Sequence, residues 1–141
     1  MSVSNIRVMI DTNVLISAIL NRNGTPNKAY LKASGPSYTL VLFDQILLEL
    51  FRIFNLKFPS RVPDMHNFLL TMQYDLITLT AQDLAVPDEC AIRDADDRPI
   101  LRAARKAGVN IIVTGDNDFL ESGLKSPQII TAAEFLTQIF H

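Results

Sequence analysis

Several acidic side chains in this sequence directly follow predicted strands or stand at the start of a predicted helix. Asp11 follows the apolar run RVMI, and Asp116 follows NIIVT after a single glycine. Asp44 follows TLVLF, and Asp97 begins a helical pattern. Carboxylates are ligands for hard cations such as Mg²⁺ or Mn²⁺, which activate water and stabilise charge on a phosphodiester under attack. The chemistry that these residues could support is therefore metal-assisted hydrolysis.

Each acid also has a purely structural interpretation. Asp11 could cap the helix behind it, and Asp116 with Asp118 could close a local turn in TGDND. Glu49 lies on a narrow polar stripe of its helix, which either faces solvent or lines a cleft. Taken one at a time, these residues leave both interpretations open.

Asp97 is more informative, because it shares a helical face with the apolar Ile100 and Leu101. Charged side chains rarely point toward a core without a partner or a metal, although an Asp in a first turn also complements the helix dipole. We favour a functional role for Asp97, and we expect at most one of its neighbours Asp94 and Asp96 to take part.

Strands and helices alternate along the chain. Short apolar runs predict strands at 7–10, 39–43, 76–79, 110–114 and 128–130. Helices are predicted at 14–20, 28–33, 45–56 (with Asp44 as N-cap), 97–107 and 132–140, with a weaker one within 61–74. This alternation is typical of a parallel sheet covered on both faces. We predict one α/β domain over residues 1–141, a three-layer α/β/α sandwich around a mainly parallel sheet of about five strands.

Ligands of such sheets gather at the carboxyl ends of the strands. We therefore expect Asp11, Asp44 and Asp116 to face the same edge. Several like charges in one cleft repel each other unless cations neutralise them, so the sequence predicts a divalent metal there.

The amino-acid composition limits the classes of protein to which this chain can belong. With 48% hydrophobic and 20% charged residues, the 141-residue chain is of ordinary globular type. Its one cysteine, Cys90, excludes an internal disulfide and a zinc motif. No apolar stretch is long enough to span a membrane and no signal-peptide pattern is present, so we expect a cytoplasmic protein.

The net charge of -2 is unusual for a protein that holds nucleic acid by charge alone. Bound cations or a local basic patch could compensate. Arg98, Arg102, Arg105 and Lys106 form a candidate patch, but a solvated helix face is the interpretation we favour for them.

Taken together, these motifs resemble the PIN-domain family. The matching segments are MIDTNVLISAIL, LLEL, DADDRPILRAA, IIVTGDNDFL and the closing ITAAEFL, which cover nearly the whole chain. The resemblance implies an acidic, metal-binding and catalytic set of Asp11, Glu49, Asp97 and Asp116, with Asp118, Asn13 and Thr114 in support. It also implies a Mg²⁺- or Mn²⁺-dependent endoribonuclease.

The length is most similar to the VapC-like toxins of bacterial toxin–antitoxin pairs. This implies an RNA substrate, a cognate antitoxin protein and a homodimer. A PIN nuclease of RNA processing without an antitoxin, and an inactive module that binds RNA or protein, remain alternatives. A response-regulator phosphotransfer domain is disfavoured because no lysine stands at a fitting strand end. A haloacid-dehalogenase-type phosphatase would need Asp where Asn13 stands.

Overall fold

The computed structural model describes residues 5–140. Five parallel strands form one sheet in the order β3-β2-β1-β4-β5. The strands are β1 (Ile6–Ile10), β2 (Tyr38–Phe43), β3 (Asp75–Ile77), β4 (Ile111–Val113) and β5 (Gln128–Ile130). Helices flank the sheet, so the predicted three-layer α/β/α architecture with a parallel sheet is confirmed.

The helices connect successive strands or follow them. They are α1 (Thr12–Leu20), α2 (Thr25–Ala33), α3 (Asp44–Lys57), α4 (Val62–Thr71), α5 (Arg98–Lys106), α6 (Asn117–Leu120) and α7 (Ala132–Thr137). Short 3-10 segments occur at Pro59–Arg61, Pro87–Ala91 and Ala95–Asp97. No helix within residues 5–140 combines the length and the apolar character that a membrane span requires.

The core is built on the central strands. Val8, Met9 and Ile10 of β1 are fully buried, and the end of β2 and all of β4 are buried as well. The continuous apolar runs of these strands are explained by this burial on both faces. On the helical side, α1 packs against α2, and α2 packs against α7.

The strand order reverses direction at β1. From β1 the chain builds outward through β2 to β3, and it later returns to place β4 and β5 on the other side. Connections that leave neighbouring strands in opposite directions open a crevice at the carboxyl ends of those strands. Asp11 directly follows β1 and Thr114 directly follows β4, so both lie at this crevice.

Some predicted boundaries were wrong. Helix α2 already begins at Thr25, because Pro26 suits a first turn. Asp44 is not the N-cap of α3; Phe43 holds that position and Asp44 lies in the first turn, where its charge complements the helix dipole. The weak segment 61–74 contains α4, which buries Met65 and Phe68 in the core.

Candidate metal centre

Asp11 directly follows β1, and both of its carboxylate oxygens accept hydrogen bonds. Oδ1 accepts a hydrogen bond of 2.7 Å from the backbone N–H of Thr12, the first residue of α1. Oδ2 accepts one of 2.9 Å from the Thr114 hydroxyl. Burial raises the pKa of Asp11, while these hydrogen bonds oppose the shift. Asp11 therefore caps α1 and at the same time presents a buried carboxylate at the crevice.

Thr114 joins the strand ends. Its side chain is completely buried, and its Oγ1 also accepts a 3.0 Å hydrogen bond from the Asp116 backbone N–H. Asp116 in turn accepts a 2.9 Å hydrogen bond from the Asp118 N–H and caps α6. The turn predicted for TGDND is present. The Thr114 hydroxyl connects it to Asp11, because this hydroxyl accepts from the Asp116 N–H and donates to Asp11.

Asp97 occupies the N-cap position of α5, but its side chain makes no capping hydrogen bond. Its Oδ2 is buried and has no hydrogen-bond partner among the described residues. Burial, foremost, together with the neighbouring carboxylate of Asp116 and the charges of Asp94 and Asp11, raises the pKa of Asp97 to about 8. Capping therefore does not explain the position of this side chain, and an ionised Asp97 lacks a positive partner.

Glu49 stands on α3, at the wall of a cleft of about 210 Å³ that Asp94, Asp96 and Asp97 also line. Its Oε2 accepts a long hydrogen bond of 3.4 Å from the Thr12 hydroxyl. The side chain is exposed, as the solvent-facing interpretation expected, but it is exposed to the cleft. Thr12, the first residue of α1, thus contacts α3 at this site.

Asp94, Asp97 and Asp118 form the most compact group of acids. Each offers one carboxylate oxygen, and these oxygens lie within 4.8 Å of one another. Asp94 and Asp97 come together because they flank a 3-10 turn, in which side chains three positions apart eclipse. That spacing in the sequence could have singled out Asp94 over Asp96. We call the six acids described here the acidic cluster: Asp11, Glu49, Asp94, Asp97, Asp116 and Asp118.

Two of the predicted polar residues stand apart from the acidic cluster. Asn13 is exposed and forms no hydrogen bond to these acids, although it shares an open pocket with Thr114. Asp44 follows β2 at the expected edge of the sheet, but it forms no side-chain hydrogen bond or ion pair with another residue in 5–140.

The candidate basic patch on α5 is paired internally. Arg102 binds Glu89 through two hydrogen bonds of 2.8 and 3.0 Å. Arg105 binds Asp88, and Lys106 binds Asp83 at 2.7 Å. These cations lower the pKa of all three acids, which belong to the segment before Asp94. The patch therefore fastens this segment to α5, and its charges are largely compensated.

The acidic cluster fits a divalent cation. A buried carboxylate oxygen without a donor costs free energy, and a cation would satisfy it. A bound cation would also return the raised pKa of Asp97 toward its ordinary value, since opposite charge favours the ionised form. Donors that are all oxygens select hard ions such as Mg²⁺ or Mn²⁺.

The sequence pattern of the PIN domain matches residues 7–118. The chain belongs to the PIN-domain family. The matched range contains every acid of the cluster. A comparison with curated proteins finds no match.

Solved structures show the same PIN-domain fold at low sequence identity. The crystal structure of VapBC2 from Rickettsia felis, bound to a DNA fragment from its promoter, has a TM-score of 0.64 and 16% identity, covering 89% of this chain and 97% of the other. The Mycobacterium tuberculosis toxin VapC20, described as cleaving the sarcin-ricin loop, has a TM-score of 0.57 and 18% identity, with coverages of 83% and 95%. These likenesses concern the fold.

Proposed function

We propose that this PIN-domain protein is a divalent-metal-dependent endoribonuclease and the toxin component of a toxin–antitoxin pair. The observation that carries the proposal is the buried, unpartnered Asp97 oxygen beside Asp116 and Asp11. Membership of the PIN-domain family supports nuclease chemistry. The similar folds of VapBC2 and of VapC20, a toxin that cleaves the sarcin-ricin loop, support the toxin assignment.

In this proposal Asp11, Glu49, Asp97 and Asp116 hold Mg²⁺ or Mn²⁺, and Asp118 and Asp94 stand beside them. The ion would supply charge neutralisation and water activation for phosphodiester hydrolysis. Thr114 holds the Asp11 carboxylate in place through its hydroxyl. Asp97 gives up its proton when the site is loaded, because a ligating carboxylate must be ionised.

Asn13 keeps a supporting role in the proposal, at the edge of the RNA path. It directly follows Thr12 in the chain and lines an open pocket together with Thr114. His66 is exposed and stacks edge-on against Phe51 of α3, outside the cluster, so the proposal assigns it no part.

The partner proteins follow from the same assignment. We propose a cognate antitoxin that blocks the site, supported by the VapBC2 structure among the similar folds. We also propose a homodimeric assembly, which rests on the family resemblance of the sequence alone. Co-expression with a small protein encoded by a neighbouring gene would test the antitoxin. Sedimentation of the purified chain would test the dimer.

The nuclease is tested with single-stranded RNA in Mg²⁺, in Mn²⁺ and in EDTA, comparing wild type with Asp11→Asn. Asp64→Asn is the matched control, since Asp64 is exposed in the first turn of α4 and, within residues 5–140, pairs only with Arg61. Cleavage that needs metal, persists in Asp64→Asn and is lost in Asp11→Asn supports the proposal. Cleavage that survives EDTA or Asp11→Asn contradicts it. Binding without cleavage in any arm would favour an inactive module.

A further inference from the structure

Arg93 is the basic residue that contacts the acidic cluster. Its guanidinium binds Asp118 Oδ1 at 2.9 Å and Glu121 Oε2 at 3.3 Å. Among the ion pairs of residues 5–140, the other arginines and lysines pair with acids outside the cluster. A phosphate that approaches the acidic cluster on the side of Asp118 therefore meets the positive side chain of Arg93.

The backbone at Arg93 is held firmly although its side chain is 73% exposed. The preceding residue, Ile92, is fully buried, and its carbonyl accepts a 2.9 Å hydrogen bond from Arg98. The following residue, Asp94, accepts the Asp96 N–H in a local turn. The backbone at Arg93 is thus held in place by its neighbours, and the side chain places its guanidinium at the mouth of the cluster.

The pairs that Arg93 forms are easily exchanged. Exposed ion pairs contribute little to stability, because water screens both charges and the long side chains lose entropy. A guanidinium binds phosphate through parallel hydrogen bonds, and such charge-assisted pairs are among the stronger ones. Exchange of Asp118 and Glu121 for a phosphate would therefore cost little and would leave Asp118 free to face the cluster.

From this geometry we infer that Arg93 is a substrate-binding residue that holds an RNA phosphate at the mouth of the acidic cluster. The inference rests on the proposed nuclease function and deepens it. It explains how a protein with a net charge of -2 can draw a polyanion to an acidic site. It also assigns a role to a residue that directly precedes Asp94.

The test compares Arg93→Gln and Arg93→Lys with Lys57→Gln in cleavage of a labelled single-stranded RNA at several salt concentrations. Lys57 is an exposed lysine in the last turn of α3, so its substitution removes the same charge elsewhere. We expect Arg93→Gln to raise the half-saturating RNA concentration about tenfold. Its salt dependence should flatten by about 0.7 in the log–log slope, the value for one single-strand phosphate. Arg93→Lys should recover part of the affinity, and Lys57→Gln should match wild type.

Binding of Mn²⁺ without RNA, measured by calorimetry, separates substrate binding from an effect on Asp118. We expect the Mn²⁺ affinity of Arg93→Gln to equal or exceed that of wild type. Affinity for Mn²⁺ that falls together with cleavage, or cleavage by Arg93→Gln that matches Lys57→Gln, overturns the inference and leaves the nuclease intact. A wild-type protein that neither binds nor cleaves RNA overturns the proposed function, and this inference with it.

Discussion

Replacing Asp97 with Asn should stabilise the metal-free protein while abolishing its proposed activity. In the folded state without metal, burial and the nearby acids raise the pKa of Asp97 to about 8, against 3.8 in a model carboxyl. Folding at neutral pH therefore requires this carboxyl to take up a proton. The asparagine side chain of the Asp97→Asn variant has the shape of the protonated acid without that requirement, and its amide can donate to the neighbouring Asp116.

The size of the effect follows from the shift. One pKa unit corresponds to about 1.4 kcal/mol. A fully shielded carboxyl with this pKa would therefore lower the free energy of unfolding of wild type by ~4 kcal/mol at neutral pH, and Asp97→Asn would recover that amount. The Asp97 side chain is partly exposed, and solvent screening reduces the expected gain to about 1 to 2 kcal/mol. For a chain of this length such a gain raises Tm by about 3 to 8 °C.

Thermal unfolding in EDTA measures this gain. A raised carboxyl pKa gives stability that is fully present below the unfolded pKa and is lost as pH rises through the folded pKa. The Tm of wild type should therefore fall, relative to that of Asp97→Asn, between about pH 4 and pH 8. Saturating Mg²⁺ should raise the Tm of wild type and of Asp64→Asn, but not that of Asp97→Asn. Asp64→Asn serves as the control and should change stability by less than about 0.5 kcal/mol. If Asp97→Asn lowers Tm in EDTA by more than Asp64→Asn does, the reasoning about this carboxyl is refuted.

Three further outcomes are expected. Thr114→Val should lower the free energy of unfolding, measured by urea denaturation, by about 1 to 3 kcal/mol, because the buried Asp11 oxygen loses its hydrogen-bond donor. Thr114→Ser keeps the hydroxyl and should retain most of the wild-type stability. The affinity for Mn²⁺ should rise from about pH 6 to pH 8, with release of up to one proton per ion, because Asp97 must ionise to bind the metal. Calorimetry in two buffers measures both quantities. An affinity that does not change with pH would contradict a role of Asp97 in metal binding. Glu89→Gln should cost about 1 to 3 kcal/mol through loss of the charged hydrogen bonds from Arg102. Because the Glu89 pKa is lowered, wild type should be more stable than Glu89→Gln above about pH 4.5, and this difference in stability should vanish as pH falls further. A difference in stability that persists in acid would contradict this prediction.

Local patterns were sufficient to predict the sheet and part of the site. The apolar runs predicted as strands at 7–10 and 110–114 identify β1 and β4, and the rule for parallel sheets then brings their carboxyl ends together. The apolar face of α5 predicted that Asp97 points toward the core, and its Oδ2 is buried. The sequence left the capping interpretation of Asp97 open, and only the structure shows that its side chain makes no capping hydrogen bond. These inferences depend on residues close in sequence.

Contacts between distant segments could not be predicted in this way. Nothing near Glu89 in the sequence indicates that Arg102 will bind it, so the fastening of the segment before Asp94 to α5 was missed. The pairing of Arg93 with Asp118 likewise depends on how the segment at Arg93 meets α6, 25 residues further along the chain. The Asp44 N-cap prediction failed because the chain enters α3 one residue earlier, with Phe43 buried in the core.

The central claim is that the acidic cluster binds a divalent metal. Anomalous diffraction from a crystal of the wild-type protein soaked in Mn²⁺ tests this most directly. We predict a manganese peak in contact with the Asp97 carboxylate, on the side that faces Asp11 and Asp116. A soaked crystal with no peak in the cluster, or with manganese bound only elsewhere on the surface, would contradict the account.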